Sequence, residues 1–317
     1  MELFIPGSKR EKEKLEYELV IIGAGPAGLS AGIYATRSGL KSIVVEKNVS
    51  GGLAAEAPFI ENYPGIKGIK GEELAKMMKE HAQEYLPVEE INPVHEITKE
   101  NGKFITKTEK AEYVSDAIIF ATGTAHKHLG IPGEKEFYGR GLSYCVTCDG
   151  YFFKDQDVII IGGGNSGAIA GIFMKNIARN VTIIEFMPRY MCENAYVKKI
   201  NELGINYIMN AQVTEIFGDD KVKGVRYKDR STGEVKELLA NGVFIYVGLK
   251  PQSELAKSLG VELNERGYIK VDSTMRTNIP RIYAAGDITG GVAQVVVAAS
   301  QGAIAALSAY EDLKLKD

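Results

Sequence analysis

The amino-acid sequence predicts an α/β protein of two three-layer domains, each built on a parallel sheet that is covered by helices. Two observations lead to this prediction. A pattern of strand, glycine-rich turn, helix, strand and acidic residue occurs twice. The chain of 317 residues is also long enough for two cores, since a domain contains roughly 100–200 residues. With 45% hydrophobic and 25% charged residues, the composition is ordinary for a soluble globular protein.

The first occurrence of the pattern begins with the apolar run YELVII at 17–22, which is typical of a buried parallel strand. The run leads into the turn GAGPAG at 23–28, a predicted helix over 29–37 and a predicted strand over 41–45, followed by Glu46. This order is typical of a Rossmann-like dinucleotide-binding unit. The glycines let backbone N–H groups approach a pyrophosphate, the helix N-terminus stabilises its charge, and Glu46 can accept hydrogen bonds from ribose hydroxyls.

The second occurrence has a predicted strand at 157–161, the turn GGGNSG at 162–167, a helical stretch, and a strand at 181–184 before Glu185. In both copies the acid lies 23 residues after the first glycine (46 − 23 and 185 − 162). One glycine turn is weak evidence for a nucleotide site. Two turns in the same context predict two Rossmann-like nucleotide-binding domains, against the alternative of two structural turns in an ordinary doubly wound sheet.

A third signal lies near the C-terminus, where the run IYAAGD at 282–287 predicts a short strand that ends in an acid at a glycine turn. A helix rich in small residues is predicted to start at Gln294. A strand-terminal Asp287 and a helix N-terminus are suited to hold the ribityl chain and phosphates of a flavin. A surface turn before a packed helix is the alternative interpretation.

The segment CVTCDG at 145–150 carries two thiols at the C-x-x-C spacing. This spacing suits a redox pair or a metal site, but zinc needs about four ligands. Cys192 is the remaining cysteine, and no histidine has a paired spacing with it. We therefore predict redox chemistry at Cys145 and Cys148 and no metal site. Asp149 can protonate a leaving thiolate during exchange or, alternatively, cap a helix or turn.

The net charge of −3 gives no support for a nucleic-acid or anionic-membrane partner. The N-terminus carries charges where a signal peptide would have its apolar core. No stretch approaches the ~18 uninterrupted apolar residues of a membrane span. We therefore expect a cytoplasmic protein without a membrane partner, in which the charge run KREKEK at 9–14 is a solvated arm.

Taken together, these motifs resemble the low-molecular-weight thioredoxin reductases over essentially the whole chain beyond the first sixteen residues. The run through the two cysteines is the most specific part. The motifs that carry the resemblance are GAGPAG at 23–28, GG at 51–52, ENYPG at 61–65, ATG at 121–123, GRGLSYCVTCDG at 139–150, GGGNSG at 162–167 and AAGD at 284–287.

The resemblance implies a discontinuous FAD-binding domain formed by 1–122 and 250–317, with 1–16 as an N-terminal arm. An inserted NAD(P)-type domain, 123–249, would carry the dithiol and rotate about segments near 120–126 and 247–252. A homodimer is also implied. The residues at the matching FAD-binding positions are Gly23, Gly25, Pro26, Ala27, Gly28, Glu46, Lys47, Gly51, Gly52, Leu53, Asn62, Ala121, Thr122, Gly123, Gly286, Asp287, Gln294 and Val295.

For the dithiol, the resemblance implies that Cys148 is the flavin-proximal thiol, Cys145 the interchange thiol and Asp149 the acid. The expected acceptor is the disulfide of a thioredoxin-like protein. A flavin disulfide reductase that serves another small redox carrier is an alternative. A non-catalytic sensor that reports the flavin state through its dithiol is an alternative from another class.

The second fold departs from the family at the site of the NADPH 2′-phosphate. The arginine-rich positions of the family hold Glu185, Phe186, Met187 and Met191 here. A carboxylate at position 185 suits two free ribose hydroxyls, so the sequence favours NADH over NADPH. Ferredoxin or another donor, with loss of nicotinamide binding, remains an alternative. The residues predicted to line a nucleotide site in this fold are Gly162, Gly164, Asn165, Ser166, Gly167 and Glu185.

Overall fold

The structure of the protein, a computed structural model, describes residues 13–57 and 59–315, with the backbone but not the side chain of Cys148. The described residues form two compact units. The first unit comprises residues up to Ala55, Ile60–Thr124 and residues from Pro251 onward, and the second comprises Glu56–Phe59 and Ala125–Lys250. The sequence placed the crossings at 122/123 and 249/250, and it assigned the short segment 56–59 to the first domain.

The secondary structure alternates strands and helices along most of the chain. The strands are β1 (Glu13–Glu16), β2 (Leu19–Ile22), β3 (Ser42–Val45), β4 (Val88–Glu89), β5 (Val94–Glu100), β6 (Lys103–Thr108), β7 (Ala111–Ser115), β8 (Ala117–Phe120), β9 (Thr124–His126), β10 (Leu142–Ser143), β11 (Asp157–Ile161), β12 (Asn180–Ile184), β13 (Asn206–Ile208), β14 (Ala211–Gly218), β15 (Val222–Asp229), β16 (Val235–Leu239), β17 (Gly242–Ile245), β18 (Leu249–Pro251) and β19 (Ile282–Ala284). The helices are α1 (Pro26–Arg37), α2 (Gly71–Gln83), α3 (Val146–Asp149), α4 (Asn165–Lys175), α5 (Asn194–Glu202), α6 (Glu254–Ser258) and α7 (Val295–Tyr310), the last continued by a π-helical turn, Glu311–Leu315.

The first unit is built on a five-stranded parallel sheet in the order β19-β8-β2-β3-β4. Side chains alternate across this sheet. Leu19 and Ile21 pack with helices α1 and α7 on one face, whereas Val20 and Ile22 pack toward the sheet that contains β5, β6 and β7. Helices α1 and α7 can approach closely because Gly302 of α7 has no side chain. A Cβ at this position would lie only 2.0 Å from a carbonyl oxygen of α1. The unit therefore has three layers.

Two local details differ from the sequence prediction. Helix α1 begins at Pro26 rather than at Leu29, because proline is tolerated at a first helical position whose N–H has no intrahelical partner. Glu13–Glu16, part of the N-terminal arm predicted over 1–16, pairs in parallel with β7 as strand β1. The rest of that predicted arm, residues 1–12, lies outside the described residues.

The second unit repeats the architecture with a parallel sheet in the order β10-β17-β11-β12-β13. Ile159 and Ile161 face the antiparallel sheet β14-β15-β16, while Val158 and Ile160 face helices α4 and α5. The predicted α/β class with two Rossmann-like units is confirmed. The chain crosses between the units at β9 and β18, which pair as a two-stranded sheet. Within residues 13–57 and 59–315, no helix is both long and apolar enough to cross a bilayer.

Candidate redox site and nucleotide sites

The glycine turn between β2 and α1 has no room for a side chain at Gly23 or Gly28 but has free space at Gly25. Gly23 has a φ of +105°, and a Cβ there would lie 2.3 Å from the carbonyl oxygen of Ala121. A Cβ at Gly28 would lie 1.8 Å from the carbonyl oxygen of Gly23. At Gly25, in contrast, a Cβ would meet no atom within 4 Å. A ligand can therefore approach the backbone at Gly25, next to the start of α1.

The Glu46 carboxylate is buried at the carboxyl end of β3 and is fixed by the backbone of the turn. Its Oε2 accepts a hydrogen bond from the N–H of Ala24 (2.7 Å), and its Oε1 accepts one from the N–H of Asn48 (2.9 Å). Each oxygen keeps a further lone pair. The carboxylate is thus held in place and can still accept hydrogen bonds from ribose hydroxyls.

The loop at Gly51 and Gly52 lies against this turn. The Gly51 N–H donates to the carbonyl oxygen of Ala24 (2.8 Å), and a Cβ at Gly52 would lie 3.4 Å from the Cα of Gly25. Both glycines have positive φ values, +121° and +55°. Leu53 follows in a short 3₁₀ turn. The absence of a side chain at Gly52 therefore keeps the approach to Gly25 free, whereas a Cβ at Gly51 would lie 2.7 Å from the Cβ of Ala75.

The remaining residues predicted to bind the flavin follow the carboxyl ends of other strands of the same sheet, or the start of α7. Ligands of open α/β sheets bind at this edge. Burial raises the pKa of the Asp287 carboxyl. Asn62 donates to the side chain of Gln294 (2.8 Å) just before α7. Residues that follow β8 are Ala121, Thr122 and Gly123, those that follow β19 are Gly286 and Asp287, and those at the start of α7 are Gln294 and Val295.

A residue that the sequence interpretation missed, Gln252, connects two of these positions. Its Oε1 accepts a hydrogen bond from Lys47 Nζ (2.5 Å), and its carbonyl oxygen accepts one from Thr122 Oγ1 (2.7 Å). Gln301 of α7 was also missed, although its Oε1 accepts the N–H of Gly286 (2.8 Å). Neither glutamine belongs to a local motif, so nothing near it in the sequence could have indicated its position.

The second glycine turn reproduces the geometry of the first. A Cβ at Gly162 would lie 2.2 Å from the carbonyl oxygen of Tyr246, and one at Gly167 would lie 1.9 Å from that of Gly162. Glu185 Oε2 accepts from the Gly163 N–H (2.7 Å), and Glu185 Oε1 accepts from the Met187 N–H (2.8 Å). The equal sequence spacing of the two acids thus corresponds to the same pair of backbone hydrogen bonds.

The second glycine turn is contacted by different residues from those that contact the first. Tyr207 Oη donates to the carbonyl oxygen of Gly163 (2.8 Å), where the first turn has the N–H of Gly51. Gly164 forms a parallel bridge with Met191. The Asn165 side chain is engaged, since its Nδ2 donates to Glu193 Oε1 (2.7 Å) and its Oδ1 accepts the Glu193 N–H (2.9 Å). Ser166 is exposed in the first turn of α4.

A cation that the sequence interpretation did not consider contacts Phe186, the residue that follows Glu185. The Arg230 guanidinium lies 3.8 Å from the ring centroid of Phe186 and donates to the Phe186 carbonyl oxygen (2.9 Å). Arg230 comes from the turn that follows β15, 44 residues further along the chain. The chain has no arginine at positions 186, 187 and 191, where the family has them. Arg230, from a different part of the fold, places a guanidinium next to the first of these positions.

The dithiol segment follows β10 and contains the short helix α3, with Cys145 directly before the helix and Cys148 within it. Cys145 is disulfide-bonded, and its N–H donates to Ser143 Oγ (3.0 Å). The side chain of Cys148, predicted to be its redox partner, lies outside the described residues. Asp149 ends α3 and precedes a 3₁₀ turn, to which its side chain makes no capping hydrogen bond. Its predicted role as an acid therefore does not compete with a capping role in that turn.

A backbone carbonyl and a side chain from elsewhere in the second unit accept hydrogen bonds from α3. Thr147 Oγ1 donates to the carbonyl oxygen of Glu56 (2.7 Å), and the Val146 N–H donates to Tyr246 Oη (3.3 Å). Burial, together with the nearby Glu56 carboxylate, raises the pKa of Tyr246 to about 12. Tyr246 is therefore a neutral phenol at physiological pH.

Tyr144, directly before the first cysteine, is part of a hydrogen-bonded network. Its hydroxyl donates to Glu134 Oε1 (2.6 Å) and lies 2.7 Å from His128 Nδ1. Burial opposes ionisation of Glu134, but the hydrogen bonds from Tyr144, Leu129 and Gly130 outweigh it and lower the pKa of the carboxyl. The network fixes the residue next to Cys145.

Aromatic side chains near the dithiol are exposed. Tyr151 and Phe152 follow α3 and are 72% and 76% exposed, and Tyr138 is 64% exposed. Large apolar side chains at the surface mark interaction sites when they cluster. Among residues 13–57 and 59–315, no three side chains of His, Cys, Asp or Glu form a group that could hold a metal ion.

Comparison with known proteins gives concordant matches. A model of the pyridine nucleotide-disulphide oxidoreductase family matches residues 17–302. A thioredoxin reductase of Bacillus subtilis is 37% identical over 300 residues, which cover 94% of this chain and 94% of that protein. A crystal structure of T. acidophilum thioredoxin reductase is 56% identical, covers 94% of this chain and 98% of its own, and has a TM-score of 0.91. A ferredoxin-flavin thioredoxin reductase from Clostridium acetobutylicum is 31% identical, covers 96% of this chain and 100% of its own, and has a TM-score of 0.53.

Proposed function

Because the chain belongs to the pyridine nucleotide-disulphide oxidoreductase family and, within it, to the low-molecular-weight thioredoxin reductases, we propose that it is an FAD-dependent enzyme that reduces the disulfide of a thioredoxin-like protein. The observation that carries the proposal is the disulfide-bonded Cys145 in a C-x-x-C segment directly before a nucleotide-type fold. A structural cross-link alone would not need two Rossmann-like folds around it.

The first unit is proposed to hold the FAD. The open backbone at Gly25, next to the start of α1, suits the pyrophosphate, and the fixed Glu46 carboxylate suits a ribose. The partly buried Asp287, whose pKa is raised by burial, suits a hydroxyl of the ribityl chain, because a hydrogen bond to the flavin would replace lost hydration. Bound FAD would supply a two-electron carrier that exchanges electrons with the dithiol.

The dithiol is proposed to exchange electrons with the acceptor in two steps. In the reduced enzyme, the Cys145 thiolate attacks one sulfur of the partner disulfide. A mixed disulfide forms, and the partner's other sulfur leaves as a thiolate that takes a proton from Asp149. The Cys148 thiolate then attacks the Cys145 sulfur, the bond between Cys145 and the partner sulfur that it had attacked breaks, that sulfur leaves as a thiolate, and the Cys145–Cys148 disulfide is restored. Two electrons pass to the partner.

The acceptor is proposed to dock on the exposed aromatic side chains of Tyr151, Phe152 and Tyr138. Tyr151 and Phe152 lie in the turn that follows α3, and the Tyr138 ring lies 5.8 Å from that of Tyr144, which directly precedes Cys145. A thioredoxin-like protein is the acceptor that the relatives' names support. Family membership also supports the proposals of a homodimer and of a cytoplasmic location.

The electron donor is proposed to be NADH before NADPH, with a ferredoxin-type donor as the alternative. Glu185 is held as Glu46 is held, so its free lone pairs suit ribose hydroxyls and its charge repels a 2′-phosphate. Arg230 is the cation that could reduce this repulsion. The hydrogen bonds of Asn165 with Glu193 and of Tyr207 with Gly163 leave less room for a nucleotide at the second turn. The similarity to a ferredoxin-flavin thioredoxin reductase supports a protein donor as the alternative.

The acceptor assignment can be tested with the purified holoenzyme. After anaerobic reduction with dithionite, oxidised thioredoxin should reoxidise the flavin within catalytic times. Cys145→Ser should retain FAD but lose this transfer. Cys192→Ser is the matched control, because burial raises the pKa of the Cys192 thiol and should leave it unreactive. Turnover by Cys145→Ser would refute the role given to Cys145.

The donor assignment can be tested by anaerobic titration of the same holoenzyme. NADH, NADPH and reduced ferredoxin are added separately, and bleaching of the flavin absorbance is recorded. We expect bleaching by NADH to be faster than by NADPH. Faster bleaching by NADPH would show that Arg230 or another cation neutralises the effect of Glu185, and bleaching by ferredoxin alone would establish the alternative.

A further inference from the structure

The residue between the two cysteines is tied to a distant segment of the chain. Thr147 Oγ1 donates to the carbonyl oxygen of Glu56 (2.7 Å), although the two residues are 91 positions apart. The carboxylate of Glu56 in turn lies 2.8 Å from Nε2 of His126. All three residues belong to the second unit. The order of contacts is therefore imidazole, carboxylate, backbone carbonyl and threonine hydroxyl.

His126 also contacts two further side chains that border the dithiol. Its ring stacks on Tyr144 with a centroid distance of 5.8 Å and an interplanar angle of 27°, and its edge faces Tyr246 at 6.5 Å. Tyr144 directly precedes Cys145, and Tyr246 accepts the N–H of Val146. The imidazole thus contacts three residues, Glu56, Tyr144 and Tyr246, and each of them binds or adjoins a different residue of the 145–147 stretch.

The charges around this imidazole come from several elements. Glu56 pairs with it directly. Tyr144 connects it to Glu134 and to His128, and burial raises the pKa of both Tyr144 and Tyr246, so both rings stay neutral. The His126 and Glu56 side chains are 24% and 39% exposed. A pair this accessible contributes less through charge than through the geometry that its hydrogen bond fixes.

We propose that Glu56 and His126 are positioning residues for the redox dithiol, acting on it through the hydroxyl of Thr147 and the ring of Tyr144. This inference deepens the proposed function and rests on it. The His126–Glu56 hydrogen bond fixes Glu56, whose carbonyl oxygen accepts the hydrogen bond from Thr147. The threonine holds the helical turn that carries both cysteines. Loosening this chain of contacts should change how readily the dithiol closes, without changing which residues react.

The expected size follows from the strength of one hydrogen bond. A hydrogen bond of ordinary net strength changes an equilibrium by roughly 3- to 10-fold. His126→Ala should therefore shift the dithiol–disulfide equilibrium of the holoenzyme toward the dithiol by that factor, because the disulfide needs a fixed turn. His126→Gln, which retains an N–H donor, should recover most of the wild-type value.

The equilibrium can be measured without any partner protein. The holoenzyme, in a Cys192→Ser background, is equilibrated with reduced and oxidised glutathione, quenched with iodoacetamide, and scored by mass for alkylated thiols. Thr147→Val removes only the hydroxyl and should give the same shift, while Thr147→Ser should not. His95→Ala is the matched control, since His95 pairs with Glu109 at 3.7 Å in the first unit.

The outcomes separate the positioning role from the function on which it rests. Equilibria of His126→Ala and Thr147→Val within two-fold of wild type would overturn the inference. A shift in His95→Ala as large as in His126→Ala would overturn it as well. If His126→Ala fails to fold, Thr147→Val against Thr147→Ser decides. A wild-type enzyme that equilibrates with glutathione but never reduces thioredoxin would refute the acceptor and leave the positioning test intact.

Discussion

Gly25→Ala should separate FAD binding from folding. Gly25 is the N-cap of α1 with φ −76° and ψ −177°, an extended conformation that alanine adopts without strain. No atom lies within 4 Å of the added Cβ. Alanine at an N-cap costs about 0.5–1 kcal/mol relative to a better cap. Its smaller unfolded-state entropy offsets about 0.4–1 kcal/mol. The stability of the apoprotein should therefore change by less than about 0.5 kcal/mol.

FAD affinity should change much more, because the added methyl group occupies the open space in front of the turn. If it removes one backbone hydrogen bond to the pyrophosphate, the loss is about 1.5–3 kcal/mol, as for other hydrogen bonds to charged groups. This corresponds to roughly 10- to 150-fold weaker binding. Titration of apoprotein with FAD, followed by flavin fluorescence, measures the affinity, and urea unfolding measures the stability.

The chain contains a matched control for this substitution. Gly164 is the N-cap of α4 with φ −68° and ψ −176°, and a Cβ there also meets no atom within 4 Å. Gly164→Ala should leave FAD affinity at the wild-type value. Wild-type FAD affinity in Gly25→Ala would show that the pyrophosphate does not approach this turn and would refute the proposed cofactor position.

Three further predictions concern the scaffold around these sites. Gly28→Ala places a Cβ 1.8 Å from the carbonyl oxygen of Gly23, so it should destabilise the first unit by more than about 3 kcal/mol, measurable as a lower urea midpoint. The pKa of Glu134 is lowered in the folded state, so its contribution to stability is present above its unfolded pKa of about 4.3. That contribution is lost as the pH falls through the lower folded value. Glu134→Gln should therefore destabilise the protein at pH 7 and flatten the acid limb of a stability–pH curve; an unchanged curve would contradict the assignment. Arg276→Ala removes the ion pair with Asp312 (2.8 Å) and should cost about 2–3 kcal/mol, seen as earlier thermal unfolding and as faster proteolysis of the C-terminal helix.

Local chemistry made a large part of the fold predictable. The two glycine turns were recognised because strand, turn, helix and acid lie within 30 residues of one another, and their identical spacing corresponds to identical hydrogen bonds at Glu46 and Glu185. The small strand β1 was not predicted. Its sequence EKLE is polar, and it is a strand because it pairs with β7, about 100 residues away.

The contacts around the dithiol were not predictable for a similar reason. Glu56 and His126 belong to no motif, and they meet because the chain enters the second unit at separate points. Arg230 reaches Phe186 from another sheet of that unit. In each case tertiary packing brings the two residues together. The spacing of residues along the chain does not predict such contacts.

The pairing of β9 with β18 has a consequence for how such a molecule could arise. Neighbouring strands lie about 4.8 Å apart, so the two points at which residues 125–250 leave and rejoin the first unit are adjacent. A gene segment encoding a complete fold could therefore enter an ancestral single-domain protein at one loop, without stretching the host backbone. By the same geometry, a linker of a few residues joining Thr124 to Pro251 should close the gap after excision of residues 125–250.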